Sequence, residues 1–251
     1  MMIKKHLPNF LTLMNLLSGT IAVFFAVKDQ LVIAALFVFL GIFFDFFDGF
    51  AARMLNVQGE LGKQLDSLAD VVTSGVVPGI VMFQLILAAI SNKGWIFKGR
   101  SMLDMSLNDY LSVVYLTAVV GLLFTLAAAY RLAKFNIDER QTGSFIGLPV
   151  PAATLVVLSL PLILEYSASE FFVNLIQNSW FLIGLTLLLC YLMNAEIPLF
   201  SLKFKDYSWT NNKIKYIFIV LTLLLVILLQ YVAIPLVIIL YVMLSVFDNR
   251  K

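Results

Sequence analysis

Four aspartates lie at helical spacing within two strongly apolar segments of the sequence. Asp45 and Asp48 interrupt the second apolar stretch of the chain, and Asp66 and Asp70 open the third. The members of each pair are three or four residues apart, so both lie on one face of a helix. An ionisable side chain at the centre of a membrane helix costs about 2.5–3.5 kcal/mol on insertion scales. Four of them so close together therefore indicate a functional site.

The two pairs are expected to meet. Turn-forming residues at 56–59 predict that the chain reverses near residue 57 or 58. Asp45 is then level with Asp70, and Asp48 with Asp66, on two antiparallel helices. Four clustered carboxylates repel one another unless cations neutralise them, and oxygen ligands favour hard ions such as Mg²⁺, Mn²⁺ or Ca²⁺. The spacing thus predicts a site for two divalent cations, an arrangement that serves displacement at phosphorus.

Neighbouring residues fit a phosphate ester. Gly49 and Gly62 remove side chains where such a group would approach the backbone, and Arg53 could bind a phosphate with its planar guanidinium. Two alternatives remain open at this point. The carboxylates could pair with Arg53 and Lys63 simply to pack helices, or they could form the ion site of a divalent-cation transporter.

Composition places these helices in a membrane. The chain has 251 residues, of which 61% are hydrophobic and 13% charged, with a mean hydropathy of +0.97. Soluble proteins contain about 45–50% apolar residues, so neither a soluble globule nor a disordered chain fits. We expect one all-α domain, a polytopic bundle of about eight transmembrane helices, with a catalytic core at about 1–165 and further spans at about 166–251. The predicted spans are 10–27, 31–53, 66–90, 111–133, 147–165, 176–196, 215–230 and 232–247.

The distribution of charge predicts the orientation. With the N-terminus in the cytoplasm, eight spans place most of the 17 basic residues on the cytoplasmic side, together with the C-terminus. The first span is interpreted as a retained helix, and the segment 91–110 as an interfacial loop. Gln230 and Pro235 mark a break in the last apolar stretch, which is either a tight hairpin or one long bent helix.

Other site chemistries are excluded by simple counts. A single cysteine, Cys190, permits no internal disulfide, and a single histidine, His6, permits no multi-histidine metal site. The net charge of +2 argues against a nucleic-acid partner.

The acidic motif resembles the signature of the CDP-alcohol phosphotransferases at every fixed position. The matching residues are Asp45, Asp48, Gly49, Ala52, Arg53, Gly62, Asp66 and Asp70. Within that family, segments 7–15, 65–72, 130–136 and 147–151 are most similar to the phosphatidylserine synthases. Beyond about residue 165, only the hydropathy is similar.

The resemblance implies roles for these residues. Asp45, Asp48, Asp66 and Asp70 would hold two divalent cations, Mg²⁺ or Mn²⁺, and Asp70 would also act as general base. The implied substrates are CDP-diacylglycerol and L-serine, used by a homodimer in the plasma membrane with its active site facing the cytoplasm. Residues implied to bind CDP-diacylglycerol are Asn9, Thr12, Gly49, Ala52, Arg53 and Gly62.

The acceptor site is less closely defined by the sequence. Arg131, Lys134, Asn136 and Arg140 form a polar cluster on the predicted cytoplasmic side and could bind serine or a lipid phosphate. Arg131 is the first candidate because it lies closest to the span. The same charges could also reflect membrane orientation alone. A related enzyme using glycerol 3-phosphate, inositol or inositol phosphate as acceptor stays open as an alternative.

Overall fold

The protein is a bundle of α-helices in the computed structural model, which describes residues 2–93, 107–138, 145–167, 169–200 and 208–248. The helices are α1 (Met2–Val27), α2 (Leu31–Met54), α3 (Glu60–Asp70), α4 (Val77–Lys93), α5 (Leu107–Ala118), α6 (Leu123–Ile137), α7 (Val150–Tyr166), α8 (Glu170–Ile176), α9 (Ser179–Asn194), α10 (Trp209–Leu229) and α11 (Ala233–Asp248).

The prediction of an all-α membrane bundle is confirmed in outline. Five stretches are long and apolar enough to cross a membrane, and the pair α8 and α9, bent by 74°, would make a sixth. The count of eight spans and the position of the termini stay predictions. The predicted interfacial loop at 91–110 lies mostly outside the described residues. The five stretches are His6–Val27, Leu31–Met54, Glu60–Ser91, Val113–Ile137 and Asn212–Phe247.

The last of these stretches is a hairpin. The ring centroids of Phe218 in α10 and Tyr241 in α11 are 5.7 Å apart. At 1.5 Å per residue, one straight helix would separate these residues by about 34 Å. The chain reverses at Gln230, whose φ of 48° and ψ of −118° end α10. Of the two alternatives from the sequence, the hairpin is therefore the one observed.

Two short strands were not predicted. β1 (Phe145–Ile146) pairs antiparallel with β2 (Pro198–Leu199), on the loops that precede α7 and follow α9. Strands of two residues carry no hydropathy pattern, because a period of two needs a longer run to be visible.

Helix α7 lies at the centre of the bundle. Its side chains from Val156 to Ile163 are all buried, although this helix is only 17 residues long. Helices α1 and α2 instead expose large apolar side chains such as Phe10, Phe24 and Phe43 on their outer faces. Such outward apolar faces are expected of helices that contact lipid.

A π-helical segment, Val71–Val76, joins α3 to α4 directly after Asp70. The wider turns of a π-helix disturb the regular pairing of backbone groups. Two carbonyl oxygens of this segment accept hydrogen bonds from neighbouring helices. The hydroxyl of Thr154 donates to the carbonyl of Ser74 at 2.7 Å, and that of Thr125 donates to the carbonyl of Gly75 at 3.0 Å. The π segment is thus held by α6 and α7.

Candidate active site

The aspartates of α2 and α3 meet, as their spacing predicts. The chain reverses between Met54 and Glu60, and Asn56 takes a left-handed conformation with φ of 52°. One carboxylate oxygen from each of Asp45, Asp48 and Asp66 lies within 4.8 Å of the other two. The prediction that these two helices bring their acidic side chains together is confirmed for these three residues.

Asp70 lies near this group, close enough for its charge to interact with those of Asp45, Asp48 and Asp66, but it is not among the residues whose oxygens lie within 4.8 Å of one another. Its Oδ1 accepts a hydrogen bond of 3.2 Å from the side-chain amide of Asn15, which is completely buried on α1.

Helix α1 lies beside the site, because it packs against both α2 and α3. The hydroxyl of Thr12 donates a hydrogen bond of 2.5 Å to Oδ2 of Asp48. Both side chains are buried, with exposed fractions of 3% and 6%. Thr12 therefore orients one carboxylate of the cluster. It is also one of the residues that the family resemblance implies to contact CDP-diacylglycerol.

The donor set fits a hard divalent cation. It consists of carboxylate oxygens alone, gathered within 4.8 Å, which suits Mg²⁺ or Mn²⁺ better than softer metals. Within the described part of the chain, neither Arg53 nor Lys63 forms an ion pair with these aspartates, and Lys134–Glu196 is the ion pair observed. The alternative in which the aspartates only pair with basic residues to pack helices is therefore not supported.

An open cleft of about 520 Å³ leads to the carboxylates. Five of the six residues implied to bind CDP-diacylglycerol line it: Asn9, Thr12, Ala52, Arg53 and Gly62. Asp48 and Asp66 also line it, as do the loop residues Val57, Gln58 and Gly59. The cleft thus joins signature residues of α2 and α3 to Asn9 and Thr12 of α1 in one surface.

The two signature glycines differ in the space around them. A Cβ at Gly62 would lie 3.3 Å from Oδ1 of Asn9, and a Cβ at Gly49 would meet only the guanidinium of Arg53, at 3.7 Å. A side chain at Gly62 would therefore crowd Asn9 in the cleft, whereas a Cβ at Gly49 would make an ordinary contact with Arg53.

The polar cluster on α6 is divided by the structure. The amide of Asn136 donates to the hydroxyl of Ser67 on α3 at 2.7 Å, and the ammonium of Lys63 donates to the carbonyl of Asn136 at 2.7 Å. Lys134 instead pairs with Glu196 at 3.4 Å, beyond the end of α9. Asn136 is therefore beside the acidic helix, while Lys134 points away from it.

Arg131 lies on the side of α6 that faces α9. It is only 6% exposed, its guanidinium carbon is 5.3 Å from the centroid of the Phe135 ring, and its Nε and Nη2 have no hydrogen-bond partner. It lines a small void of about 10 Å³ that shares no residue with the aspartate cleft. Arg140 lies outside the described residues.

Asn15 and Ser67 contact the site, although neither was predicted from the sequence as a site residue. A signal for Asn15 was present, since Thr12, Asn15 and Ser18 recur every three residues in an otherwise apolar span, and all three are buried. Polar residues on one face of a membrane helix usually point into the bundle.

Comparison with known proteins shows the family to which a chain with this site belongs. A model of the CDP-alcohol phosphatidyltransferase family matches residues 5–192, a range that contains every aspartate of the cluster and every residue that lines the cleft. The chain belongs to the CDP-alcohol phosphatidyltransferase family. The family resemblance inferred from the signature is thereby confirmed.

Relatives in this family carry related names. The chain is 32% identical over 157 residues to the CDP-diacylglycerol–serine O-phosphatidyltransferase of Bacillus subtilis, covering 62% of this chain and 76% of that protein. It is 33% identical over 153 residues to the enzyme of the same name from Helicobacter pylori strain J99, covering 60% of this chain and 55% of that one. It is also 29% identical over 164 residues to the archaetidylserine synthase of Methanothermobacter thermautotrophicus, covering 64% and 60%. The chain thus spans less than two thirds of the latter two proteins.

Proposed function

We propose that this protein transfers the phosphatidyl group of CDP-diacylglycerol to the hydroxyl of L-serine, giving phosphatidylserine and CMP. The observation that carries the proposal is the convergence of Asp45, Asp48 and Asp66 beside a cleft lined by residues of the family signature. The names of the relatives support serine as the acceptor.

The nucleotide and pyrophosphate of CDP-diacylglycerol would occupy the cleft. Arg53 would bind a phosphate oxygen there, and Asn9 and Thr12 would contact the cytidine side. Gly49, Ala52 and Gly62 would give the phosphates close access to the backbone. The acyl chains would remain among the exposed apolar side chains of α1 and α2, which lie beside the cleft.

The reaction is a single displacement at phosphorus. A bond forms between the serine Oγ and the phosphorus that carries diacylglycerol, and the bond from that phosphorus to the bridging pyrophosphate oxygen breaks. CMP leaves with the electron pair, and Asp70 accepts the hydroxyl proton as general base. Holding both substrates in line supplies much of the acceleration, and no covalent enzyme intermediate is needed.

Asp45, Asp48, Asp66 and Asp70 would hold two divalent cations, Mg²⁺ or Mn²⁺. When bound, these ions neutralise the charge that develops on the pyrophosphate oxygens.

The acceptor would enter beside α3. The contacts of Asn136 with Ser67 and of Lys63 with the Asn136 carbonyl bring the end of α6 next to the acidic helix. The predicted cluster of Arg131, Lys134, Asn136 and Arg140 stays our candidate for binding an anionic group, either the serine carboxylate or a lipid phosphate, and Asn136 is its member beside α3. An Arg131→Gln variant separates these two, because the first raises KM for serine and the second raises KM for CDP-diacylglycerol.

We place the protein in the plasma membrane with the cleft facing the cytoplasm. The support is the excess of basic residues on that side of the predicted topology.

The proposal is tested by CMP release from CDP-diacylglycerol in detergent or proteoliposomes. L-serine should stimulate release, and lipid analysis should show phosphatidylserine. Glycerol 3-phosphate, inositol and inositol phosphate are the matched alternative acceptors. Stimulation by one of these instead of serine would keep the family reaction but overturn the acceptor. Ion flux in liposomes without CMP release would overturn the proposed reaction itself.

A further inference from the structure

Asn15 connects α1 to the segment that carries the proposed general base. Its side chain is 0% exposed, and its Nδ2 donates to Oδ1 of Asp70 at 3.2 Å. Its carbonyl oxygen accepts a hydrogen bond of 3.2 Å from the hydroxyl of Thr73, three residues further along the π segment. Two bonds from one residue therefore fix Asp70 and the backbone beyond it relative to α1.

We propose that Asn15 is the positioning residue of the phosphatidyl transfer: its amide holds Oδ1 of Asp70 and leaves Oδ2 free to accept the proton of the acceptor hydroxyl. This inference rests on the function proposed above. It adds a residue outside the acidic signature to the machinery of the reaction.

Close packing keeps the Asn15 side chain in this orientation. A Cβ at Gly41 of α2 would lie 2.9 Å from Oδ1 of Asn15 and 2.7 Å from Cγ2 of Thr73. A Cβ at Gly19 of α1 would overlap the Thr73 hydroxyl. Glycine at these two positions therefore leaves the space that the side chains of Asn15 and Thr73 occupy, so that Asn15 packs closely between α1, α2 and the π segment.

The chemistry of an amide suits this position. An amide donates a hydrogen bond without carrying charge, whereas a lysine or arginine here would compete with the cations that the aspartates are proposed to hold. The Oδ1 of Asn15 is buried and has no hydrogen-bond partner, which is unfavourable. A leucine of similar size would avoid that penalty in an apolar span. The presence of an asparagine is therefore explained by the bond that its Nδ2 makes to Asp70.

Two substitutions separate positioning from packing. Asn15→Leu keeps the volume and removes the donor, and Asn15→Asp keeps the shape and replaces the donor with an acceptor. Ser18→Ala is the matched control, because Ser18 is also buried on α1 but its hydroxyl bonds only to the carbonyl of Met14 in the same helix. For each variant we would measure kcat, both KM values, CDP-diacylglycerol binding and thermal unfolding.

We expect both Asn15 variants to lower kcat by about 10- to 100-fold, the range seen when a residue that orients a site carboxylate is lost. KM for each substrate and the binding of CDP-diacylglycerol should stay within about twofold of wild type, because the amide acts on the base and not on substrate binding. Ser18→Ala should retain wild-type kcat.

Wild-type kcat in either Asn15 variant would overturn the inference. So would a loss of kcat that is matched by an equal loss of CDP-diacylglycerol binding or by unfolding, since both indicate a purely structural role. A failure of the proposed function is seen separately, in wild-type protein that releases no CMP with serine. The variants are then compared using whichever acceptor the wild type accepts.

Discussion

Two carboxylates of the acidic signature, those of Asp48 and Asp70, each accept a hydrogen bond from a different side chain of α1. Asp48 accepts a bond from the hydroxyl of Thr12, and Asp70 accepts one from the amide of Asn15. Neutral donors orient the carboxylates without cancelling the negative charge that would attract cations. At the scale of single residues, the acidic signature depends on a second set of polar residues that lies one helix away.

Replacing Asp70 with Asn tests the assignment of the base. The amide keeps the shape but cannot accept a proton, so we expect turnover to fall by about 10²–10⁴-fold. Binding of CDP-diacylglycerol, measured by equilibrium titration, should be largely retained. A variant with near-normal turnover would show that another group accepts the proton.

Replacing Thr12 with Val tests the support of Asp48. The change keeps the β-branched shape and removes the hydroxyl, so we expect the concentration of Mg²⁺ or Mn²⁺ for half-maximal activity to rise by about 10- to 100-fold. Thr20→Val is the control, because Thr20 is exposed on the same helix and its hydroxyl bonds only to the carbonyl of Leu16. An equal metal requirement in both variants would contradict the role of Thr12.

At the scale of elements, the π segment between α3 and α4 determines how the acidic helix is held. Thr73 bonds to α1, Thr125 of α6 bonds to the carbonyl of Gly75, and Thr154 of α7 bonds to that of Ser74. Three helices thus hold the segment that follows Asp70, so a change in its packing should reach the site.

Gly19→Ala tests this packing. The added methyl would overlap Thr73 in the π segment, and overpacking of this kind costs about 1–3 kcal/mol. We expect a lower unfolding temperature and reduced turnover together. Gly184→Ala on α9 is the control: a Cβ there meets nothing within 4 Å, and alanine is favoured over glycine in a helix. A Gly19→Ala variant as stable as wild type would show that this contact is not tight.

The elements differ in how well the sequence predicts them. The meeting of Asp45, Asp48 and Asp66 was predictable, because helical periodicity and a short turn determine it locally. The bond between Asn15 and Asp70 was not, since it depends on how α1 is rotated against a π segment that no propensity reveals. The hairpin turn at Gln230 was visible only as an interruption of hydropathy, and the strand pair of Ile146 and Pro198 gave no pattern at all.

At the scale of the whole molecule, the cleft opens at the ends of α1, α2 and α3 that the charge distribution predicts to be cytoplasmic. The loop of residues 55–59 borders the cleft, and the turn of residues 28–30 lies at the opposite end of α2. These two connections should therefore face different sides of the membrane.

Cysteine labelling tests this orientation. In a Cys190→Ser background, which removes the single native thiol, we would introduce Lys28→Cys or Gln58→Cys. A membrane-impermeant maleimide added to intact cells should label the Lys28 variant and spare the Gln58 variant until the membrane is opened. The reverse pattern would place the cleft outside the cell.

Direct titration with Mn²⁺ is the sharpest test of the shared acidic site, with bound ions counted by electron paramagnetic resonance in nanodiscs. We expect two ions per chain in the wild type, and loss of tight binding in both Asp45→Asn and Asp66→Asn, one substitution on each helix. CMP titrated into the same samples should bind more weakly when either aspartate is changed. Undiminished Mn²⁺ binding in either variant would show that α2 and α3 do not share one metal site.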